Sequence, residues 1–272
     1  MTDTSTDTMQ AGYVDVDGCR TAFDVIGGGD RGTIVCLHSA GASSLDWTVF
    51  AEHAARAGYR VIAPDLPGHG KSLLRDWRAL ETTQELARWT LAFTTALGIE
   101  RPVLAGCSLG GAIVLELAVA EPARWRAIVC TSSVARHGMF PRAFLDRGRE
   151  DAGLPGFGDF TYERTLALCG RETPAERCAE LAWLRRRADP KVAMADLRAF
   201  NALDVAASLG QITAPTLLVR GADDPIPAPA FEATARAIPA AELVTIAGAG
   251  HYPMAETPRF AELVIEFLAR RT

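Results

Sequence analysis

The chain has 272 residues, of which 49% are hydrophobic and 22% are charged, and its formal charge at neutral pH is −5. This composition is typical of a globular protein and excludes a disordered or collagen-like chain, and the length suffices for one large domain or two modest ones. The mild negative charge argues against a nucleic-acid partner and against a polybasic membrane anchor.

The sequence shows no pattern of export, membrane insertion or metal binding. Residues Met1–Met9 read MTDTSTDTM and lack the basic residues and apolar run of a secretory signal. The most apolar helical segment, Ala112–Ala120, contains Glu116 and is far shorter than the roughly 20 residues that span a bilayer. The cysteines form no CxxC pair or zinc-like cluster, and they are Cys19, Cys36, Cys107, Cys130, Cys169 and Cys178. We therefore predict a cytoplasmic protein with reduced thiols, no metal and no cofactor.

The predicted elements begin with a hairpin and continue as alternating strands and helices. The hairpin pairs Tyr13–Val16 with Thr21–Ile26, and Thr33–Leu37 is an apolar run of the kind found in strands buried on both faces. Later strands are predicted at Arg60–Ala63, Pro102–Gly106, Ala127–Cys130, Thr216–Val219 and Glu242–Ile246. Helices are predicted at Trp47–Ala57, Thr83–Leu97, Leu109–Val119, Phe231–Ala237 and Phe260–Arg270. This order predicts an α/β fold with a mostly parallel sheet and helices on both faces.

The interval from Ser133 to Pro215 departs from this alternation. It contains no buried strand pattern, and breaks at Leu154–Gly158 and Asp189-Pro190 interrupt its helical patterns. Those helices are predicted at Pro141–Arg149, Tyr162–Leu168, Pro174–Arg187 and Lys191–Leu203. We predict a helical cap over residues 133–215, inserted between core segments 1–132 and 216–272, near the strand ends where α/β sheets bind ligands. The alternative is that these helices merely extend the core.

The segment Gly106-Cys107-Ser108-Leu109-Gly110 carries the sharpest chemical signal. A G-x-S-x-G sequence between an apolar strand and a helix predicts a strained turn that presents the serine hydroxyl above the sheet. The glycines are expected because side chains would collide with neighbouring backbone in so tight a turn. Cys107 is expected to pack into the sheet rather than to act as a thiol nucleophile.

A serine nucleophile needs a base and an acid, and both have candidates after predicted strands. His251 lies in the glycine-rich segment Gly248–Pro253, and Asp223 and Asp224 lie side by side after strand Thr216–Val219. The chain order Ser…Asp…His is the α/β-hydrolase order. The residues alone do not separate the two aspartates.

Five stretches together resemble the α/β-hydrolase superfamily in its serine-nucleophile branch, over nearly the whole length. They are LHSAGASSLDW (Leu37–Trp47), DLPGHGKS (Asp65–Ser72), GCSLGG (Gly106–Gly111), GADDPIP (Gly221–Pro227) and GAGHYPMAETP (Gly248–Pro258). The resemblance implies the α/β-hydrolase fold with an eight-stranded sheet, and it selects Asp224 as the acid. Serine at position 108 argues against dehalogenases and epoxide hydrolases of this fold, which use aspartate as the nucleophile. The stretch CTSSVARHG (Cys130–Gly138) and the compact cap look similar to 3-oxoadipate enol-lactonases.

The resemblance also implies an oxyanion hole formed by the backbone N–H groups of Ala40 and Leu109. Ser39 stands where glycine is commoner, so its hydroxyl adds a third donor to the oxyanion hole, contacts substrate, or belongs to a tolerated small residue. His38 and His69 are expected to be structural. We expect further substrate contacts from Arg136, Trp183 and Tyr252, and a carboxylate-attracting role is open for the run Arg185–Arg187.

Together these features predict a serine hydrolase that cleaves a small ester or lactone. The alternatives left open are a carbon–carbon bond hydrolase of ring-cleavage products, an acyltransferase or perhydrolase, and a small-molecule receptor of the same fold. Tyr252 stands where carbon–carbon hydrolases often carry Trp, which lowers the first alternative. A receptor would not need the Ser, Asp and His set. Oligomeric state is not encoded in any of these patterns.

Overall fold

The computed structural model describes residues 8–74, 76 and 78–272, so most of the segment Met1–Met9 discussed above lies outside the described residues. Eight strands form one sheet in the order β1-β2-β4-β3-β5-β6-β7-β8. They are β1 (Gln10–Val16), β2 (Cys19–Ile26), β3 (Thr33–Leu37), β4 (Arg60–Pro64), β5 (Val103–Cys107), β6 (Ala127–Thr131), β7 (Thr216–Gly221) and β8 (Ala241–Ile246). Strands β1 and β2 are antiparallel, and β2 pairs antiparallel with β4, whereas β3 to β8 are mutually parallel.

Ten α-helices accompany the sheet within the described residues. They are α1 (Thr48–Arg56), α2 (Thr83–Ala96), α3 (Leu109–Ala120), α4 (Arg142–Asp151), α5 (Phe157–Leu168), α6 (Ala175–Arg186), α7 (Pro190–Ala202), α8 (Ala228–Ala237), α9 (Pro253–Glu256) and α10 (Pro258–Arg271). None of the helices in the described part of the chain is both long and apolar enough to cross a bilayer. The predicted α/β class, the eight-stranded sheet and every predicted strand are confirmed.

The central strands are apolar because both of their faces are covered. Every residue of β5, β6 and β7 is buried, which matches the continuous apolar runs in their sequences. Two large clusters of buried side chains lie on the two faces, one around α2, α3 and Trp125, the other around α1, α10 and Trp47. Because these strands are parallel, the carboxyl ends of β3, β5, β7 and β8 lie at the same edge of the sheet, which is packed on both faces.

Helices α4 to α7 lie between β6 and β7 in the chain, where the helical interval was predicted. Asp189 accepts a hydrogen bond from Lys191 N at 2.8 Å and Pro190 is the first residue of α7, so the predicted break at this point is a helix start. The break predicted at Leu154–Gly158 is wrong at its end, because α5 begins at Phe157. Gly158 lies in the first turn of α5, where an added Cβ would lie 3.2 Å from Arg186 of α6, so this glycine serves close helix packing. The short helix α9 was not predicted.

Candidate active site

Ser108 lies at the turn between β5 and α3 in a strained backbone conformation. Its φ is 54° and its ψ is −113°, a combination that L-residues rarely adopt. A Cβ added at Gly106 would collide with the Gly110 carbonyl, and one at Gly110 would collide with the Leu37 carbonyl of β3. The surrounding backbone is thus too close for any residue but glycine on either side of the turn. The turn places the Ser108 side chain at the carboxyl edge of the sheet.

His251 and Asp224 meet at this same edge. Asp224 follows β7, His251 follows β8, and His251 Nδ1 lies 3.1 Å from Asp224 Oδ1 with both residues buried. Burial raises the pKa of the Asp224 carboxyl, but the charge and hydrogen bond of His251 and the Ile226 N–H outweigh it and hold this pKa below its ordinary value of 3.8. The Asp223 carboxylate instead contacts Arg171 on the surface side, at 2.9 Å. Of the two neighbouring aspartates, Asp224 is therefore the one that contacts the histidine.

Ser108 and His251 line one cavity of about 260 Å³. The wall is mostly apolar, and its residues are Ser39, Ala40, Ser108, Met139, Phe140, Arg164, Leu168, Leu197, Phe200, Pro225, His251 and Tyr252. The volume lies below the usual range of about 300–1,000 Å³ for sites that hold drug-sized ligands, so the cavity suits a small molecule. Both the strand-end loops and the inserted helices contribute to it.

The two amides expected to form an oxyanion hole flank this cavity. Ala40 lines it, and Leu109 is the first residue of α3, directly after Ser108. Among the described residues, neither amide is seen to donate to a protein acceptor. Unpaired N–H groups at a helix N-terminus and beside a nucleophile are the donors that stabilise a developing oxyanion.

The Ser39 hydroxyl belongs to a buried ionic cluster. It donates to Asp46 Oδ2 at 2.7 Å and lies 2.8 Å from Arg185 Nη2, and Arg185 contacts Asp46 Oδ1 at 2.7 Å. Arg185 is 1% exposed, and its guanidinium carbon lies over the Tyr252 ring, 3.9 Å from the ring centroid. This contact with Arg185 supports Tyr252, which is itself part of the cavity wall. Arg185 thus has a carboxylate partner inside the protein, and the pairing with Asp46, 139 positions away, was not visible in the sequence.

Arg136 and Trp183 lie outside the cavity wall. The Arg136 side chain is 67% exposed and forms an ion pair with Asp204 at 2.8 Å. Trp183 is 53% exposed, and the Arg186 guanidinium lies over its ring. Of the four expected substrate contacts, the structure brings Ser39 and Tyr252 to the cavity and leaves these two on the surface.

Arg164 of α5 lines the cavity and was missed by the sequence analysis. Among the described residues no carboxylate lies within ion-pair distance of Arg164, and its buried Nε has no hydrogen-bond partner. Its predicted helix, Tyr162–Leu168, contained it, but no motif marked it. An arginine without a counterion beside an apolar wall is an electrostatic feature that an anionic ligand group would satisfy.

His38 and Cys107, which lie near the turn, have structural contacts. His38 donates from Nδ1 to Ser39 O at 2.8 Å and accepts from Leu66 N at Nε2, and burial lowers its pKa to about 4. Burial raises the pKa of the Cys107 thiol well above its usual range, and its Sγ contacts the His251 carbonyl. Within the described ranges, no group of three or more His, Cys, Asp or Glu side chains is arranged to hold a metal ion.

Curated relatives match most of the chain. A pimeloyl-[acyl-carrier protein] methyl ester esterase of Nitrosomonas europaea is 30% identical over 249 residues, which are 85% of this chain and 92% of the relative. A 2-hydroxy-6-oxo-6-phenylhexa-2,4-dienoate hydrolase of Comamonas testosteroni is 27% identical over 263 residues, 89% of this chain and 90% of the relative.

Solved structures match the fold, and a family model matches the sequence. A thermophilic esterase from Thermogutta terrifontis, with malate bound, superposes with a TM-score of 0.84 at 26% identity, covering 97% of this chain and 100% of that one. The enol-lactonase from Burkholderia xenovorans LB400 superposes with a TM-score of 0.81 at 22% identity, covering 95% of this chain and 100% of that one. The model of the alpha/beta hydrolase family matches residues 34–263, and this chain therefore belongs to that family.

Proposed function

We propose that this chain is a serine hydrolase that cleaves a small carboxylic ester or lactone through an acyl-enzyme. The observation that carries the proposal is that a strained Ser108 and a buried His251 line the same cavity, while the Asp224 carboxylate lies 3.1 Å from His251 Nδ1. The esterase relatives of similar length support the reaction class. Helices α4 to α7, within residues 133–215, act as the cap over this site.

In the proposed mechanism, Ser108 attacks the carbonyl carbon while His251 takes its proton. Asp224 holds the proton of His251 on Nδ1, so that Nε2 is the basic atom, and stabilises the imidazolium that forms. The Ala40 and Leu109 amides donate to the oxyanion of the tetrahedral intermediate. His251 then protonates the leaving oxygen and activates the water that cleaves the acyl-enzyme.

The substrate in this proposal carries an anionic group. Arg164 supports this part, because it is the cavity residue with a guanidinium and without a carboxylate partner in the described chain. A carboxylate on the substrate would form charge-assisted hydrogen bonds with it. An enol-lactone with a free carboxylate meets both requirements. The likeness to the enol-lactonase structure, at 22% identity, supports only the fold.

A second candidate function is hydrolysis of a carbon–carbon bond. The relative from Comamonas testosteroni favours it, since the dienoate in its name is a carboxylate and so also carries the anionic group that Arg164 would bind.

The proposed location is the cytoplasm. The six cysteines, all free in the described structure, support this reducing compartment.

The test compares wild-type protein with Ser108→Ala on three substrates: a lactone, a short p-nitrophenyl ester and a vinylogous diketone. We expect the wild type to turn over the ester or the lactone, and the p-nitrophenyl ester to give a burst of p-nitrophenol as the acyl-enzyme accumulates. We expect kcat to fall by at least about 10⁴-fold in Ser108→Ala. Exclusive turnover of the diketone would select the second candidate. Near-wild-type ester hydrolysis by Ser108→Ala would exclude the proposed mechanism.

A further inference from the structure

Glu256, at the end of α9, is a buried carboxylate with four hydrogen-bond donors around it. Its Oε1 accepts from Tyr252 N at 2.8 Å. Its Oε2 accepts from Gly250 N at 2.7 Å, from Gly170 N at 2.9 Å and from Thr173 Oγ1 at 2.6 Å. The residue is 8% exposed, and within the described chain no arginine, lysine or histidine forms an ion pair with it. The charge is thus held by hydrogen-bond donors, three of which are backbone amides.

The donors on one side immediately flank His251. Gly250 and Tyr252 are its two chain neighbours, and their amides bind the two oxygens of one carboxylate. The His251 amide itself donates to Leu168 O at 2.8 Å. The N–H groups of the three consecutive residues Gly250, His251 and Tyr252 therefore all donate to acceptors outside the loop that contains His251. The path of the backbone through His251 is determined at each of these residues.

The donors on the other side belong to the inserted helices. Gly170 and Thr173 lie in the turn between α5 and α6, directly after the Leu168 that holds the His251 amide. The two backbones approach closely, because a Cβ added at Gly250 would collide with Leu168 O and one at Gly170 would collide with Gly248 O. The same carboxylate thus ties the histidine loop to the turn that follows the cavity-lining helix α5.

We propose that Glu256 is a positioning residue, whose buried carboxylate fixes the backbone on both sides of His251 and locks it to the α5–α6 turn. The inference rests on the proposed function, since it assigns His251 the role of base. Glu256 does not touch the substrate. It acts by keeping the His251 ring within reach of both Ser108 and Asp224, at a position where a displacement of about 1 Å can cost roughly 100-fold in rate.

The substitution Glu256→Gln tests this role with almost no change in volume. An amide has one acceptor oxygen, so in either orientation its NH₂ group faces N–H donors that need an acceptor. We expect kcat for a short p-nitrophenyl ester to fall about 10- to 100-fold, with KM changed by less than about twofold. Glu262→Gln is the matched control, because Glu262 is an exposed residue of α10 whose partner is Arg259, and it should behave as wild type.

Thr173→Val separates the two sides of the carboxylate. It removes only the hydroxyl donor on the insertion side and leaves the amides of Gly250 and Tyr252 in contact with Glu256. We expect KM to rise about threefold, because the turn supports α5, with a change in kcat of less than about twofold. A fall in kcat as large as that of Glu256→Gln would show that the effect on kcat does not come from the Gly250 and Tyr252 amides, and would overturn the inference that these contacts position His251.

A fluorophosphonate probe distinguishes failure of this inference from failure of the proposed function. The probe reacts with an activated Ser108 whatever the natural substrate, and Ser108→Ala serves as the blank. We expect the labelling rate to fall in Glu256→Gln by the same factor as kcat, in protein whose circular dichroism matches wild type. Equal labelling rates in wild type and Glu256→Gln overturn the inference alone. A wild-type protein that is not labelled overturns the proposed function and the inference with it.

If Glu256→Gln does not fold, Glu256→Asp replaces it, because the shorter side chain cannot reach both flanking amides. A kcat equal to that of the wild type in this variant overturns the inference.

Discussion

The strand-end loops and the inserted helices both line the cavity, but they hold their side chains there in different ways. Ser108 and His251 lie on backbone that is packed closely against neighbouring backbone. A Cβ added at Gly106, Gly110 or Gly250 would collide with backbone atoms, so only glycine fits at these positions. Arg164, Leu197 and Phe200 reach the cavity from helix faces, through side chains with several rotatable bonds. Substitutions at the strand ends should therefore abolish chemistry, whereas substitutions in the helices should change which molecule is accepted.

The same difference explains what the sequence could predict. Steric restriction of the backbone leaves glycines in the sequence, so the Ser108 turn and the glycine-rich loop of His251 were visible there. The hydrophobic patterns of the strands made all eight of them visible as well. The Asp224–His251 contact followed only once a family resemblance selected Asp224 over Asp223. Helix faces leave no such pattern, because a repeat of 3.6 residues shows which residues share a face but not what the face meets. Arg164 was therefore missed, and Arg136 and Trp183 were expected at the cavity although both are exposed.

The largest contrast between neighbouring residues is expected in the strand-end region, at two adjacent carboxylates that contact different partners. Asp224→Asn should lower kcat by about 10³- to 10⁴-fold, because an amide at Oδ1 no longer stabilises the imidazolium or the right tautomer of His251. Asp223→Asn is the matched control and should stay within about threefold, because its carboxylate faces Arg171. The measurement is steady-state hydrolysis of a p-nitrophenyl ester. Similar losses in the two variants would mean that the contact at 3.1 Å does not identify the acid.

A smaller and substrate-dependent effect is expected in the helical region. Arg164→Met should lower kcat/KM about 100-fold for the mono-p-nitrophenyl ester of succinate, because the variant loses charge-assisted hydrogen bonds to the free carboxylate. The neutral p-nitrophenyl butyrate should change by less than about threefold, since it offers no anion.

Arg136→Met is the matched control for this comparison, because Arg136 is an arginine of the same insertion that lies on the surface. It should leave both esters at wild-type rates. A loss in Arg164→Met that is equal for the charged and the neutral ester would assign Arg164 to cap packing and remove the support for an anionic substrate.

The smallest effect concerns stability, at a pair of histidines where the two regions meet. The rings of His38 and His69 lie 4.7 Å apart, but only His69 contacts the insertion, through Asp196 of α7 at 2.8 Å. Burial, and to a lesser degree the charge of His69, lower the pKa of His38 to about 4. Burial also lowers the pKa of His69, but Asp196 outweighs burial and holds that pKa above the ordinary value of 6.5.

The two shifts predict opposite responses to acid. His38 is neutral in the folded protein while the unfolded chain takes up a proton below about pH 6.5, so its contribution to stability is lost as the pH falls, by about 2 kcal/mol between about pH 7 and about pH 5. The contribution of His69 to stability is fully present below about pH 6.5 and is lost as the pH rises through its raised pKa.

Urea unfolding at about pH 7 and about pH 5 measures the change in the free energy of unfolding. His38→Gln, whose amide can still accept from Leu66 N, should reduce the loss of stability in acid by about 2 kcal/mol, and part of the loss should persist because burial also lowers the pKa of His137, to about 3. Asp196→Asn should destabilise the protein more at about pH 5 than at about pH 8. A His38→Gln protein whose unfolding free energy falls in acid as much as that of the wild type would show that His38 does not contribute to the acid response, and the contrast between a core histidine held neutral and a bridging histidine held charged would fail.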